Sequence, residues 1–595
     1  MIKNIFDRFR NNIIFRLPTA VYWFAAVWLQ YYILEMSYRT MDLCLFTPVK
    51  YQLIGVATIM VVDIIVMLIV KNLRLSAIIS SVLISVLSYV NYYVAIFHGT
   101  PMTLSMLKNT KTALNVISTY RFEIDPPVVK ITILVILEFI IIFLFIGKKV
   151  KVKRIASLAA AVAVAVVMYY SYFSANPMIE KGIVAWQWRE ATRHVGFVPC
   201  MIQNTRSEIV GITETDTYDE DELIEFLDNY SYDNGGSNTP DVILILNETL
   251  YDLNQITTVN PDKDPFEYIN SLENSIRGYA VCPAVFGGTN KSEYEYITSN
   301  SLYLAPSITP FNTLDLQNAD SAVKFMEKRG YTTLAAHCAD KANYNRSVAY
   351  PALGFDSYYF TDDFKNKEYY KSRIHTTDES VYKNIIDWYE NMEDSPRFIY
   401  TLTIQNHAEY TSLNDDEKLV HTYNDYGDLT AEVDEYLTCV KLSDNAFKML
   451  TEYFENADRE VIICMVGDHA PNIARSLADK AYSKEELDLR LKSVPYVIWS
   501  NKINLSEQEV PERISMMYVV PTALESADMN LSGYYEYLCN MRNIVPVVMT
   551  DRYYTSDGSK YLYSDESEYT DIISRYFDLE YASIDKKDFI EDFFE

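Results

Sequence analysis

The first 173 residues form blocks of unbroken apolar sequence separated by short basic loops, whereas the remainder alternates short apolar runs with longer polar stretches. Five blocks, at 17–34, 53–70, 75–97, 128–147 and 155–173, are long enough to cross a bilayer as helices. One span following another argues against a cleaved signal sequence. Lys3, Arg8, Arg10, Arg16, Lys71, Arg74, Lys148, Lys149, Lys151, Lys153 and Arg154 fall on one side of this arrangement, eleven residues against five on the other (Arg39, Lys50, Lys108, Lys111 and Arg121). Basic loops stay on the cytoplasmic side, so the N-terminus is expected inside and everything beyond residue 173 outside. Asp63 and Glu138 fall within spans, where a carboxyl calls for an interior partner. In the loop 98–127, Leu104, Leu107, Leu114 and Ile117 are spaced as in an interfacial helix.

Residues 174–239 read as a juxtamembrane connecting segment, with Trp186 and Trp188 suited to the headgroup layer. From residue 241 the pattern changes to β-rich runs alternating with helical stretches: DVILIL (241–246), TTLAA (332–336), FIYTLTI (398–404), VIICMV (461–466) and 496–499. That alternation predicts an α/β domain with a mainly parallel sheet covered by helices. At 546–595, Tyr569, Ile572, Ile573 and Phe577 fall near helical spacing in an acidic, tyrosine-rich tail, and their need for burial predicts a helix docked on the domain before it.

Charge narrows the function. A net charge of -28 argues against a nucleic-acid partner. The seven cysteines show no CxxC spacing and are odd in number, so neither a thiolate metal site nor a disulfide framework is implied.

The candidate chemistry sits just past the ends of the strands. DVILIL runs into Glu248, TTLAA into His337, FIYTLTI into His407 and VIICMV into Asp468 and His469. In open α/β sheets, ligands bind beyond the carboxyl ends of the strands, so these residues are expected in one crevice. Thr289 in VFGGTNKSEYEYITSNSLY ends a glycine turn and starts a helix, where unpaired N–H groups favour a phosphate. The competing reading of Thr289 is an ordinary helix N-cap. Glu248, Asp468 and His469, with the Thr289 hydroxyl as fourth donor, suit Mn²⁺ or Mg²⁺, and Zn²⁺ less well. A metal on Thr289 would lower the pKa of its hydroxyl and make it a nucleophile.

These motifs resemble those of lipoteichoic acid synthase type phosphoglycerol transferases, a membrane branch of the alkaline phosphatase and sulfatase superfamily. The resemblance spans nearly the whole chain: five spans, Glu248 after the first strand, Thr289 in GGTNKSEYEYITSNS, and Asp468-His469 in GDHA. It implies a five-helix membrane domain over 1–173 and an extracellular catalytic domain over 240–545. It also implies Mn²⁺ held by Glu248, Thr289, Asp468 and His469, with Thr289 as nucleophile. Asn345-Arg346 in NYNRSVAY, His407 in TIQNHAEY and His337 resemble positions that hold the phosphate and glycerol of the substrate. The implied donor is phosphatidylglycerol, and the acceptor a hydroxyl of a glycolipid or polymer. Gly288, Tyr344 and Ala339 depart from residues common in that family, so the acceptor does not carry over. A phosphoethanolamine transferase and a non-catalytic surface receptor on the same fold are the alternatives. A sulfatase is set aside because Cys282-Pro283-Ala284 does not fit the sequence that becomes formylglycine.

Overall fold

The computed structural model describes residues 18–37, 47–98, 124–147, 154–173, 195–210, 215, 218–230, 235–305, 308–341, 343–478, 481–584 and 588–594. The chain divides at residue 210 into a helical unit and an α/β unit.

The helical unit comprises Thr19–Met36, Val49–Val70, Leu73–His98, Pro126–Phe145, Arg154–Met168 with its π-helical extension Tyr169–Phe173, and Phe197–Val210. Among the described residues three helices are long and apolar enough to cross a membrane: Val49–Val70, Leu73–Tyr93 and Pro126–Phe145. The sequence predicts five. Thr19–Met36 carries Gln30 and Glu35, which lower its hydropathy, and Arg154–Met168 is 15 residues long. Ile65, Ile69, Ile133 and Phe143 lie exposed on these helices, as side chains meeting lipid do. The helices are those of a membrane protein.

Its interior is not purely apolar. Gln30 Nε2 donates to Glu138 Oε1 at 2.9 Å, Ser81 Oγ donates to the same oxygen, and Trp23 Nε1 reaches Asp63 Oδ1 at 3.5 Å. Both span carboxyls are thus buried and paired between helices. Glu35 has another use: its carboxylate accepts the backbone N–H groups of Phe197 and Val198 at 2.9 and 3.0 Å. It supplies partners that the first turn of Phe197–Val210 lacks. The interfacial helix expected in the loop 98–127, like Trp186 and Trp188, falls outside the described residues, apart from the loop's ends.

The α/β unit is built on eight strands: β1 (Asp241–Asn247), β2 (Ser275–Val281), β3 (Thr332–His337), β4 (Ser357–Phe360), β5 (Arg397–Leu402), β6 (Val461–Gly467), β7 (Ser493–Ser500) and β8 (Arg513–Ser515). They lie in the order β4-β3-β5-β1-β6-β7-β2-β8. β7 runs antiparallel to β6 and β2, and the other pairings are parallel. Every residue of β1 and β6 is buried, as in a central parallel strand covered on both faces, which is why both read as continuous apolar runs.

β2, β4 and β8 are not legible from pattern. SIRGYAV mixes polar with apolar positions, SYYF is four residues long and RIS three. A second, three-stranded antiparallel sheet, Val547–Val548, Arg552–Tyr554 and Lys560–Leu562, is likewise absent from the sequence reading.

The tail helix Thr570–Ile584 buries Ile573, Tyr576, Phe577 and Leu579. Phe577 stacks on Tyr303 with ring centroids 3.7 Å apart, and Glu580 Oε2 accepts from Ser301 Oγ at 2.7 Å. Tyr576 OH accepts from Ser301 N at 2.8 Å. All three contacts fall just beyond the helix Thr289–Thr298, so the tail fixes the far end of the element that presents Thr289.

Candidate active site

Phe286, Gly287 and Gly288 have φ of 62°, 127° and 92°, three successive left-handed residues that turn the chain sharply into the helix Thr289–Thr298. Gly288 is required here by conformation, because its φ is one that side-chain-bearing residues rarely adopt. Gly288, not Thr289, occupies the N-cap position, and Thr289 is the first helical residue. The Thr289 hydroxyl is therefore not spent on capping. It lies near the Asp468 carboxylate instead, in a position only 7% exposed.

The sheet register explains why the metal-ligating types meet. Asn247 of β1 pairs with Gly467 of β6, so Glu248 and Asp468 leave neighbouring parallel strands at the same level. Thr249, at φ 51°, turns back to donate its N–H to Asp468 Oδ1 at 2.6 Å and its hydroxyl to Glu248 Oε1 at 2.7 Å. His469 Nδ1 bonds the Ala470 carbonyl at 3.0 Å, which points Nε2 at the carboxylates, 3.2 Å from Asp468 Oδ2 and 3.7 Å from Glu248 Oε1.

One ligand atom from each of Glu248, Asp468 and His469 lies within 4.8 Å of the others, and all three residues are buried. Asp468 Oδ2 has no hydrogen-bond partner. Burial, and then the Glu248 charge, push the Asp468 carboxyl above its usual range. Burial disfavours a charged His469, yet Asp468 and Glu248 outweigh it and raise its pKa. Two crowded carboxylates, an orphaned buried oxygen and an imidazole aimed between them fit a divalent cation. A second trio runs from exposed Asp415 through His421 to buried Asp434 and has Lys418 3.7 Å from Asp415, so a cation of the protein's own already serves its outer end.

The residues expected to hold substrate gather around this cluster in different ways. His337 ends β3, buried, with Nδ1 3.0 Å from the Leu402 carbonyl; burial, then Arg346, hold its pKa well below the usual value, so it is neutral. Tyr344 and Asn345 are both left-handed, at φ 54° and 61°, a strained pair leading into Arg346. Asn345 Oδ1 is buried without a partner.

Arg346 already has one. Its Nε and Nη2 lie 2.9 and 2.8 Å from Glu293 Oε2, on the helix that begins with Thr289. Burial works against the guanidinium charge, but Glu293 outweighs it and raises the pKa further. Nη2 makes no well-directed hydrogen bond despite its closeness to Glu293. His407 is exposed at the mouth, with Nδ1 2.9 Å from its neighbour's carbonyl at Ala408.

Three residues of the site escape sequence reasoning. Glu293 is the partner of Arg346, Asn290 beside Thr289 has its buried Nδ2 unpartnered, and His375 lies edge-on to His407 with ring centroids 5.2 Å apart. Scarcity is the available signal for His375. The chain has seven histidines, and four of them (His337, His375, His407 and His469) belong to this one crevice.

Residues 240–529 match the family described as Sulfatase, so the α/β unit carries a Sulfatase family domain. A protein of Rhizobium meliloti (strain 1021) named for cyclic beta-1,2-glucan modification is 28% identical over 274 residues, 44% of this chain and 42% of its own. The lipoteichoic acid synthase-like YvgJ of Bacillus subtilis (strain 168) is 23% identical over 256 residues, 41% of this chain and 40% of its own. The chain thus spans well under half the length of these curated relatives. Among solved structures, Streptococcus pyogenes phosphoglycerol transferase GacH in complex with sn-glycerol-1-phosphate superposes with a TM-score of 0.52 at 21% identity, covering 64% of this chain and 99% of that one. That likeness is one of fold.

Proposed function

We propose that this protein is a membrane-anchored phosphoglycerol transferase that takes glycerophosphate from phosphatidylglycerol and passes it, through an adduct on Thr289, to a hydroxyl acceptor of a glycolipid or polymer. The observation that carries the reading is the placement of Thr289: first residue of a helix, near the Asp468 carboxylate of a buried carboxylate–imidazole cluster. Relatives named for lipoteichoic acid synthesis support the choice of donor.

Glu248, Asp468 and His469, with Thr289, would hold a divalent cation, Mn²⁺ by preference. Once bound, it would supply positive charge to the phosphate and make the threonine hydroxyl more acidic. The rest falls to the chain. Thr289 Oγ1 gives up its proton as it forms the new bond to phosphorus, the bond to the diacylglycerol oxygen breaks, and that oxygen takes up a proton as it leaves. The first-turn N–H groups of Thr289–Thr298 and the Arg346 Nη2 face the charge growing on the phosphoryl oxygens. His407, with Nδ1 committed to Ala408, keeps Nε2 for the leaving oxygen. His337 and Asn345 contact the glycerol hydroxyls. The acceptor hydroxyl oxygen then attacks phosphorus and loses its proton, and the Thr289 oxygen departs and regains one.

In this reading the N-terminus is cytoplasmic and residues 174–595 lie outside, where the donor headgroup of the outer leaflet is within reach. The test is a rapid quench of the full-length protein with phosphatidylglycerol. Wild type should carry a glycerophosphate adduct on the peptide containing Thr289, and Thr289→Ala should release no diacylglycerol. Normal release by that variant would refute the reading, and an ethanolamine phosphate adduct formed from phosphatidylethanolamine in its place would establish the alternative transferase.

A further inference from the structure

Asn247 lies outside the ligand set, yet its main chain meets both carboxylate residues in it. It immediately precedes Glu248, and its carbonyl accepts the Asp468 N–H at 3.2 Å. The Glu248 N–H goes to Thr403 Oγ1 at 3.1 Å. The spacing of the two carboxylates therefore depends on how Asn247 is held where β1 and β6 end side by side.

Its side chain is held by a residue 131 positions away: Nδ2 donates to Asp378 Oδ2 at 2.9 Å. On its other side, Oδ1 accepts from Asn406 Nδ2 at 3.2 Å. The same Asp378 oxygen accepts from Ser443 Oγ at 2.6 Å, and the Asp378 N–H donates to Gln405 Oε1 at 3.1 Å. Asn247, Asp378, Asn406 and Ser443 are all 0% exposed. Asp378 Oδ1 has no partner in this web, so the carboxyl is kept here at a cost that calls for a reason. Its place at the start of the helix Asp378–Asn391 is not reason enough. A carboxylate suits a helix start, but the Thr377 hydroxyl already caps this one by accepting the Ser380 N–H. The Asp378 contact that leads to the cluster is the one to Asn247.

We infer that Asp378 is a positioning residue for the divalent cation. It acts through Asn247, fixing that amide so that the main chain on one side presents Glu248 and the carbonyl holds Asp468 at the spacing one cation needs. Asp378 itself touches neither cation nor substrate. This rests on the cation site proposed for Glu248, Asp468, His469 and Thr289, and it adds a buried support that none of the sequence motifs contains.

Titration of metal-stripped full-length protein with Mn²⁺, read by electron paramagnetic resonance, tests it without any substrate. Asp378→Ala should bind Mn²⁺ about 10–100-fold more weakly than wild type, as when a metal ligand loses the partner that orients it. Asp378→Asn keeps an acceptor oxygen for the Asn247 amide and should recover most of that affinity. Asn247→Ala cuts the link and leaves Asp378 in place, so it should weaken binding as Asp378→Ala does, and it decides the matter if Asp378→Ala does not fold. Thr377→Ala loosens the start of the same helix without removing a hydrogen bond of the web, and should bind Mn²⁺ as wild type does. Wild-type affinity in Asp378→Ala or Asn247→Ala, or a loss in Thr377→Ala as large as theirs, overturns the role of Asp378 while leaving the cation site standing. Asp378→Asn as weak as Asp378→Ala overturns the hydrogen bond to Asn247 as its route. Wild type that binds no Mn²⁺, or Asp468→Ala that binds it as tightly, overturns the cation site itself, and this inference with it.

Discussion

The Arg346 guanidinium and the Glu293 carboxylate lie 2.8 Å apart with side chains 2% and 0% exposed, joining the strained turn at Tyr344-Asn345 to the helix that starts with Thr289. A buried pair is costly to break from one side, because the remaining charge has neither water nor partner. Arg346→Met should therefore destabilise the full-length protein by roughly 3–5 kcal/mol in denaturant unfolding followed by a probe of the α/β unit. The double variant Glu293→Leu/Arg346→Met should regain most of that stability and still lack activity, since no guanidinium then faces the phosphate. Activity restored in the double variant would confine Arg346 to the structural pair.

Gly467 makes a different demand. A Cβ there would fall 2.0 Å from the Leu250 carbonyl, where the loop after Glu248 crosses the end of β6. That oxygen is backbone and cannot swing aside, so Gly467→Ala should push Glu248 and Asp468 apart. Loss of Mn²⁺ binding with the far-ultraviolet circular dichroism preserved is the expected result. Wild-type Mn²⁺ affinity in Gly467→Ala would show that the loop adapts.

Legibility in the sequence tracks burial and continuity. The central strands β1, β3, β5 and β6 are almost wholly buried and stand out as apolar runs, and the residues just beyond them, Glu248, His337, His407 and Asp468-His469, can be read from position alone. Edge elements cannot. β8 is three residues long, and β2 exposes Arg277 within its run, so neither repeats long enough to reveal a period. The Glu293 partner of Arg346 is hidden for another reason. It lies 53 positions away, one polar residue among several in NKSEYEY, and only the folded helix shows which of them faces the turn. His375 follows a loop of mixed character, where no periodicity points to any side chain.

In the helical unit, the Glu35 carboxylate reaches across more than 160 positions of sequence to meet the N–H groups of Phe197 and Val198. Glu35→Ala should leave that helix start without these partners and cost about 1 kcal/mol locally, as loss of a cap does. Hydrogen exchange at Phe197 and Val198 should accelerate severalfold, with Glu35→Gln between the two. Unchanged protection at both amides would mean that another group caps the helix.

The decisive separation is between holding a cation and transferring a group. Removing Asp468 takes away a carboxylate with two uses: Oδ1 accepts the Thr249 N–H, and Oδ2 is unpartnered 3.2 Å from His469 Nε2. Loss of an outer partner of a metal ligand commonly weakens affinity by about 10–100-fold, so loss of a direct ligand in Asp468→Ala should exceed about 100-fold. Thr289→Val keeps all three charged or imidazole donors and the shape of the side chain, and should bind Mn²⁺ within about tenfold of wild type while forming no adduct. Mn²⁺ titration by electron paramagnetic resonance on metal-stripped full-length protein, paired with the rapid-quench adduct assay, measures both quantities on the same sample. Asp468→Ala binding Mn²⁺ as tightly as wild type would sink the ligand assignment, and Thr289→Val losing affinity as severely as Asp468→Ala would make the threonine a dominant ligand and leave its role as nucleophile resting on the adduct alone.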